Sequence, residues 1–236
     1  MRTPLSESIF VRLRDGILGG RPAAGAPLPS ERALADELGC NRHAVREAVK
    51  RLQQAGLVAV SHGGATRVLD WRATGGLDLL AQLPLAGPGE APDPVLLRSI
   101  LELRLSVGID AARRCAERAT AATLAALREA LETQRLAMPA QAPLVYAHLW
   151  DHVVDGADNI AYRLAYNSLL AGLDPDSPQS RALFAGEACD LDAVAALVAA
   201  IAAGDPDAAA EVAESLLTRA IALAASVDHT EETTHG

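Results

Sequence analysis

Between Pro29 and Arg72 the chain alternates short helix-forming runs with glycine breaks on a spacing that few folds accommodate. Pro29-Ser30-Glu31-Arg32 opens one short helix, and Gly39-Cys40-Asn41 turns the chain. Residues 42–52, RHAVREAVKRL, form a second helix that Gly56 ends. Ser30 and Asn41 are suitable N-caps, because their side-chain oxygens accept from a free amide of the first helical turn. Ala33, Leu34 and Leu38 give the first helix an inner face; Val45, Ala48, Val49 and Leu52 give one to the second. Residues 57–60 and 66–69 read as two short strands around the glycine-containing tip Ser61-His62-Gly63-Gly64. This order predicts a helix-turn-helix with a basic second helix, followed by a small β-wing.

Charge divides along the same boundary. The net value is −9, which taken alone argues against a nucleic-acid partner. Residues 1–72, however, hold 11 Lys and Arg against 7 Asp and Glu, whereas residues 73–236 hold 10 against 23. A positive head on an acidic body confines DNA contact to one end.

Outside that head the pattern is helical. A first helix runs to about Leu18, with Ile9, Leu13, Ile17 and Leu18 on one side. Residues 71–83 suit a linker helix, and the Pro- and Gly-rich residues 85–94 break the chain. Helices are expected near 95–118, 121–137, 143–156, 159–173, 179–186, 190–203 and 206–227. The small aromatic content, 3%, with abundant Ala and Leu, favours helices packed through small side chains. The fold class is therefore mainly α: an N-terminal winged helix-turn-helix with a small β-hairpin, and an all-helical C-terminal bundle. The expected domains are 1–72, a linker over 73–94, the helical domain over 95–228 and a disordered tail over 229–236.

Cys40, Cys115 and Cys189 show neither metal spacing nor a disulfide framework, which suits a reducing cytosol. No signal peptide is expected. The longest apolar run, residues 193–203, is too short to span a bilayer, so no membrane partner is expected and the location is cytoplasmic.

An α-helix fits the major groove and offers base edges its N-terminal residues, here Asn41, Arg42, His43 and Arg46. Arg42 and Arg46 are candidates for guanine, since arginine can pair with two of its acceptors. Arg32 can reach phosphate or base. Lys50 and Arg51 lie later and suit ordinary solvated charges. The wing His62-Gly63-Gly64 is slim enough to enter or skirt a minor groove. The alternative is a winged-helix interaction module that never meets DNA.

The stretch LPSERALADELGCNRHAVREAVKRLQQAGLV resembles the N-terminal domain of GntR-family transcriptional regulators, and SHGGATRVLDWRATGGLDLL resembles the wing and linker of the FadR subfamily. The resemblance implies a homodimer on double-stranded operator DNA, an all-helical effector domain, and DNA binding controlled by a small molecule. By motif match it places Arg32, Asn41, Arg42, His43, Ala44, Arg46, His62 and Gly63 at the DNA. Gly64 stands where the subfamily's wing carries Lys, and Ala44 where Thr is usual.

Weaker resemblances continue through ILELRLSVGIDAARRCAERATAATLAALREALE, HLWDHVVDGADNIAYRLAYNSLL and IAAGDPDAAAEVAESLLTRA. Many relatives hold a divalent metal with one Asp and three His. Counting from Asn159 and from Gly204-Asp205, those positions fall on Tyr146, Trp150 and about Val194 and Leu216, so neither metal nor other cofactor is expected. His148 and His152, four apart beside Asp151 and Asp155, offer a second candidate ion site or a plain polar helix face. Loss of the metal set resembles the acyl-CoA branch of the family. There Arg104 would meet a phosphate or the thioester side of a ligand, and Tyr146, Trp150, Tyr162 and Tyr166 would line the cavity. The alternatives are a structural ion pair for Arg104 and core packing for the aromatics.

Two classes of function are thus in view. In one, a homodimeric regulator releases its operator, as a repressor does, when an acyl-CoA or other small acid moves the linker and re-spaces the heads. A variant of it dimerises without sensing. In the other, the helical domain is an enzyme, but no paired-carboxylate, Ser-His-Asp or Cys-His constellation supports that.

Overall fold

A computed structural model of the chain describes residues 5–60, 65–83, 93–173 and 177–232. The chain divides into two units, Met1–Pro84 and Leu85–Gly236.

In the first unit the predicted caps form. Ser30 Oγ accepts from the Ala33 amide at 3.2 Å and Asn41 Oδ1 from the Ala44 amide at 2.8 Å. They open α2 (Glu31–Leu38) and α3 (Arg42–Gln54). Gly39 turns the chain between them with φ of 62°, in the left-handed region that suits a residue without Cβ. Val45, Ala48 and Leu52 of α3 then pack into one core with Leu34 of α2 and with Ile9, Phe10 and Ile17 of α1 (Leu5–Leu18). The hairpin pairs β1 (Val58–Val60) with β2 (Thr66–Val68), antiparallel, with Val58 opposite Val68 and Val60 opposite Thr66. Val58 and Val68 point into the core.

Residues 71–83 differ from the expected linker helix. They form α4 (Trp71–Thr74) and a 3-10 turn (Leu77–Gln82), parted by extended Gly75 and Gly76. A Cβ at Gly75 would lie 2.7 Å from the Trp71 carbonyl oxygen, so this sharp exit requires glycine. Leu79 is buried in the core of this same unit, with Trp71 and Leu83 packed against it. The segment is therefore docked on the first unit.

The second unit consists of α5 (Pro94–Arg118), α6 (Ala121–Leu136), α7 (Ala142–Gly156), α8 (Ile160–Leu173), α9 (Pro178–Ala188), α10 (Leu191–Ala203) and α11 (Pro206–Glu232). The starts and ends fall within about two residues of expectation except at the last helix, which runs four residues into the expected tail. Its first turn is opened by Asp205, whose Oδ1 accepts from the Ala208 amide at 3.0 Å. Long α5 lies mainly along α11 and also meets α7, α8 and α10. Small residues permit this approach: Ala111, Ala112, Ala209 and Ala213 are fully buried. Leu127, Tyr146, Leu149, Val153, Leu197 and Leu216 complete the core.

Candidate DNA interface and helical-domain pocket

The amphipathic pattern of α3 decides which side chains are available. Its Val45–Ala48–Val49–Leu52 stripe is buried, leaving Asn41, Arg42, His43, Arg46 and Lys50 exposed at its start and on the outer face. Arg42, Arg46 and Lys50 recur every four residues, and so share one side of the helix. Arg32 is exposed one residue into α2. Glu31 meets both base-reading candidates: Arg46 donates to it from Nε and Nη2 at 3.3–3.4 Å, and Arg42 Nε stands 3.5 Å from Oε2. The guanidinium groups nevertheless stay open to solvent, with side chains 62% and 59% exposed.

Two sequence expectations change here, and one role emerges that the sequence reading lacks. Ala44 is buried, so its side chain faces the core, and its amide is occupied by the Asn41 cap. Arg51 is not a free solvated charge: it pairs with Glu7 and lies 4.0 Å over the Phe10 ring, tying α3 to α1. Glu31 opens α2 and also pairs with Arg42 and Arg46; the sequence signal for this second role is its place directly after the Ser30 cap. His62, Gly63 and Gly64 lie outside the described residues.

In the helical unit, Arg104 of α5, Tyr146 and Trp150 of α7 and Tyr166 of α8 are brought together around one cavity, closed by Leu170, Leu173 and Phe184. The space is about 20 Å³, enough for roughly one water. It is far from an open acyl tunnel. Arg104 does not reach into it as a free cation. Its Nη1 and Nη2 donate to Oε1 and Oε2 of buried Glu187 at 3.0 and 2.7 Å, and its guanidinium stacks 4.6 Å from the Phe184 centroid. Burial alone would lower the Arg104 pKa; the carboxylate more than reverses this and the group is held charged. Tyr146 and Trp150 meet edge to face, centroids 6.3 Å apart.

Tyr162 is not at the cavity. Its hydroxyl donates to Asp110, which holds the Asp110 carboxyl below its ordinary range and pushes the phenol up. His148 is exposed, 3.7 Å from Asp151, whereas Asp151 and Asp155 are claimed by Arg163 at 2.8 and 2.7 Å. Among the described residues no group of three or more His, Cys, Asp or Glu could hold a metal ion. Tyr146, Trp150, Val194 and Leu216 are all buried in one apolar cluster and offer neither imidazole nor carboxylate, so they do not fit a divalent metal. No helix among the described residues is long and apolar enough to cross a membrane.

A winged helix-turn-helix with an exposed basic helix, joined to a separate all-helical unit, defines a DNA-binding transcriptional regulator. Residues 5–68 match the bacterial regulatory proteins of the gntR family, and residues 99–219 match the FCD domain. The chain belongs to the GntR family, with an FCD domain as its second half. It is 39% identical to the HTH-type transcriptional regulator Mce2R of Mycobacterium tuberculosis, over 92% of this chain and 90% of that protein. A fatty acid metabolism regulator protein of Shewanella pealeana is 35% identical over 83 residues, 35% of this chain and 34% of the other. Among solved structures, that of Lar, which controls expression of the Listeria monocytogenes agr system, has the same fold. Its TM-score is 0.59 at 14% identity, covering 96% of this chain and 99% of that one.

Proposed function

We propose that the protein is a cytoplasmic homodimer that reads operator DNA with the first turns of α3 and lets go of it when a small-molecule effector enters the FCD domain. The observation that carries this reading is the placement of Arg42, His43 and Arg46 at the exposed start of a helix whose other face is core. Arg42 and Arg46 pair with guanine edges, Arg32 and Asn41 contact the backbone or bases beside them, and Lys50 meets phosphate. Ile160 and Leu164, four apart on α8 and both largely exposed, support a self-association surface. The apolar cavity lining supports an acyl-type effector, and fatty acyl-CoA is the first member to test; the fatty-acid name of the Shewanella relative points the same way for a third of the chain.

The test is fluorescence anisotropy with DNA from upstream of the protein's own gene, at one fixed salt concentration, with and without long-chain acyl-CoA. Sequence-specific binding that acyl-CoA releases is the expected result. Equal affinity for operator and scrambled DNA would overturn the regulator reading. A second reading, a dimer that binds DNA without sensing, is favoured by the one-water cavity. It predicts operator binding indifferent to acyl-CoA and no small molecule retained through purification.

A further inference from the structure

The cavity of the helical unit carries a polar mismatch. Its cation, Arg104, already has a bidentate counter-charge in Glu187. Tyr166 donates to the Ala147 carbonyl at 3.4 Å. Among the described residues the Tyr146 hydroxyl and the Trp150 indole N–H have no hydrogen-bond partner, on residues that are 1% and 2% exposed. Trp150 and Glu187 stand beside the Tyr146 hydroxyl, yet neither meets hydrogen-bond geometry with it.

Buried polar groups are almost always paired, so two neighbouring orphans in one cavity call for a common acceptor. The indole can only donate. The phenol stays protonated at neutral pH, because burial and then the Glu187 carboxylate push its pKa well up. A single ligand oxygen with two lone pairs answers both donors. A carboxylate would answer them too, but it would bring a second buried negative charge next to Glu187, with Arg104 already paired. The remaining lining is Leu170, Leu173 and Phe184, which suits a hydrocarbon body.

Resting on the reading of this unit as an effector domain, we propose that it takes a neutral, largely apolar molecule. A ketone, ester or thioester carbonyl of that molecule accepts from Trp150 Nε1 and Tyr146 Oη. The Arg104–Glu187 pair stays intact as a charge-balanced wall, and the cavity widens between the apolar side chains. The free acid of the same chain length is the poorer ligand.

Three probes of equal chain length separate the possibilities: 2-nonanone, nonanoate and nonylamine, titrated by calorimetry into the full chain. The Trp71→Phe variant leaves Trp150 as the single tryptophan, so its emission reports directly on the cavity. The expected result is 2-nonanone binding at least tenfold tighter than nonanoate or nonylamine, with a red shift of Trp150 emission. Trp150→Phe and Tyr146→Phe, each checked for unchanged helicity, are expected to weaken the ketone about tenfold and to leave the two charged probes unchanged. Absent ketone binding, a preference for nonanoate, or ketone affinity that neither variant alters would each overturn the proposal. Operator binding measured alongside tells the two readings apart. Ketone binding through Trp150 without effect on DNA leaves the ligand class standing and sinks the effector switch. Release of DNA by nonanoate does the reverse.

Discussion

Glu31 holds Arg46 from across the turn of the helix pair, its carboxylate accepting from Nε and Nη2 at 3.3–3.4 Å, with Arg42 converging on the same oxygen at 3.5 Å. Two arginines that would read bases thus share one counter-charge. An exposed pair of this kind is worth only about 0.2–1 kcal/mol to the fold. The expected effect is on discrimination, because phosphate and base would each compete with Glu31. Glu31→Gln is expected to raise affinity for scrambled DNA several-fold, to raise operator affinity less, and to leave the melting temperature nearly unchanged. Anisotropy on both DNAs measures this; an operator preference equal to or above the wild type would refute it.

The exposed and the docked arginines of α3 separate by their partners. Arg42→Ala or Arg46→Ala is expected to cost about 1–3 kcal/mol of specific binding and to relax the preference at one base position. Lys50→Ala lowers affinity evenly across sequences and flattens the salt dependence. Arg51→Ala belongs to a different class, since its guanidinium caps Phe10 and pairs with Glu7. It is expected to lower stability by about 1 kcal/mol or less, discounted for solvent screening, with operator specificity intact. Chemical denaturation and anisotropy on the same four variants check the division.

Local chemistry made the head readable from sequence. Ser30, Gly39 and Asn41 dictate their own backbone geometry, and the Val45–Leu52 stripe sets which way α3 faces. The same periodicity told Arg46 from Leu52 but not Arg46 from Arg51, because Arg51's partners lie on α1, far along the chain. Motif position assigns Ala44 to the DNA, while its place beside Val45 turns its side chain toward the core. Gly75-Gly76 broke the expected linker helix, a signal present in the sequence and outweighed by the apolar residues around it. In the helical unit every helix was legible, whereas the pairing of Arg104 with Glu187, 83 residues away, depends on how α5 and α9 pack. Tyr162 and Tyr166 sit on one helix and only tertiary packing sends one to Asp110 and the other to the cavity.

Removing one member of the Arg104–Glu187 pair leaves an uncompensated buried charge. Glu187→Ala is expected to destabilise the helical unit by roughly 3–5 kcal/mol. Replacing both, Arg104→Met with Glu187→Leu, removes charge and counter-charge together, and its loss is expected to be much smaller or absent. Urea unfolding followed by circular dichroism decides it. If the double variant is as unstable as Glu187→Ala, the pair contributes through shape rather than charge compensation.

Acid stability has an assignable contributor at the start of α10. Asp190 Oδ1 accepts from the Ala193 amide at 2.9 Å, and Oδ2 pairs with Arg219 Nη2 at 2.6 Å. The backbone bond first and Arg219 second hold its carboxyl below the ordinary aspartate range. A folded pKa below the unfolded one gives stability that is complete above the unfolded value, about 3.9, and fades as pH falls through the folded value. Asn is an equally good N-cap, so Asp190→Asn isolates the charge. The variant is expected to be less stable than wild type at pH 7, with the gap narrowing toward pH 3. A gap of constant size across that range would show that the charge is not responsible.

Gly156 ends α7 beside Cys115 of α5 and Thr123 of α6. A Cβ there would overlap the buried Cys115 sulfur and lie 2.7 Å from Thr123 Cγ2. Alanine in a helix is intrinsically favoured over glycine by about 1 kcal/mol, but both neighbours are short side chains with little room to retreat. Overpacking of this kind costs about 1–3 kcal/mol. Gly156→Ala is therefore expected to lower stability despite the better helix former. Cys115 is a poor candidate for any chemical role, since burial pushes its thiol up to about 11. It can accordingly be changed to relieve the clash: Cys115→Ala combined with Gly156→Ala is expected to recover part of the loss. A double-mutant cycle in urea measures the coupling. Strictly additive effects would mean that the sulfur is not what limits the approach of α7 to α5.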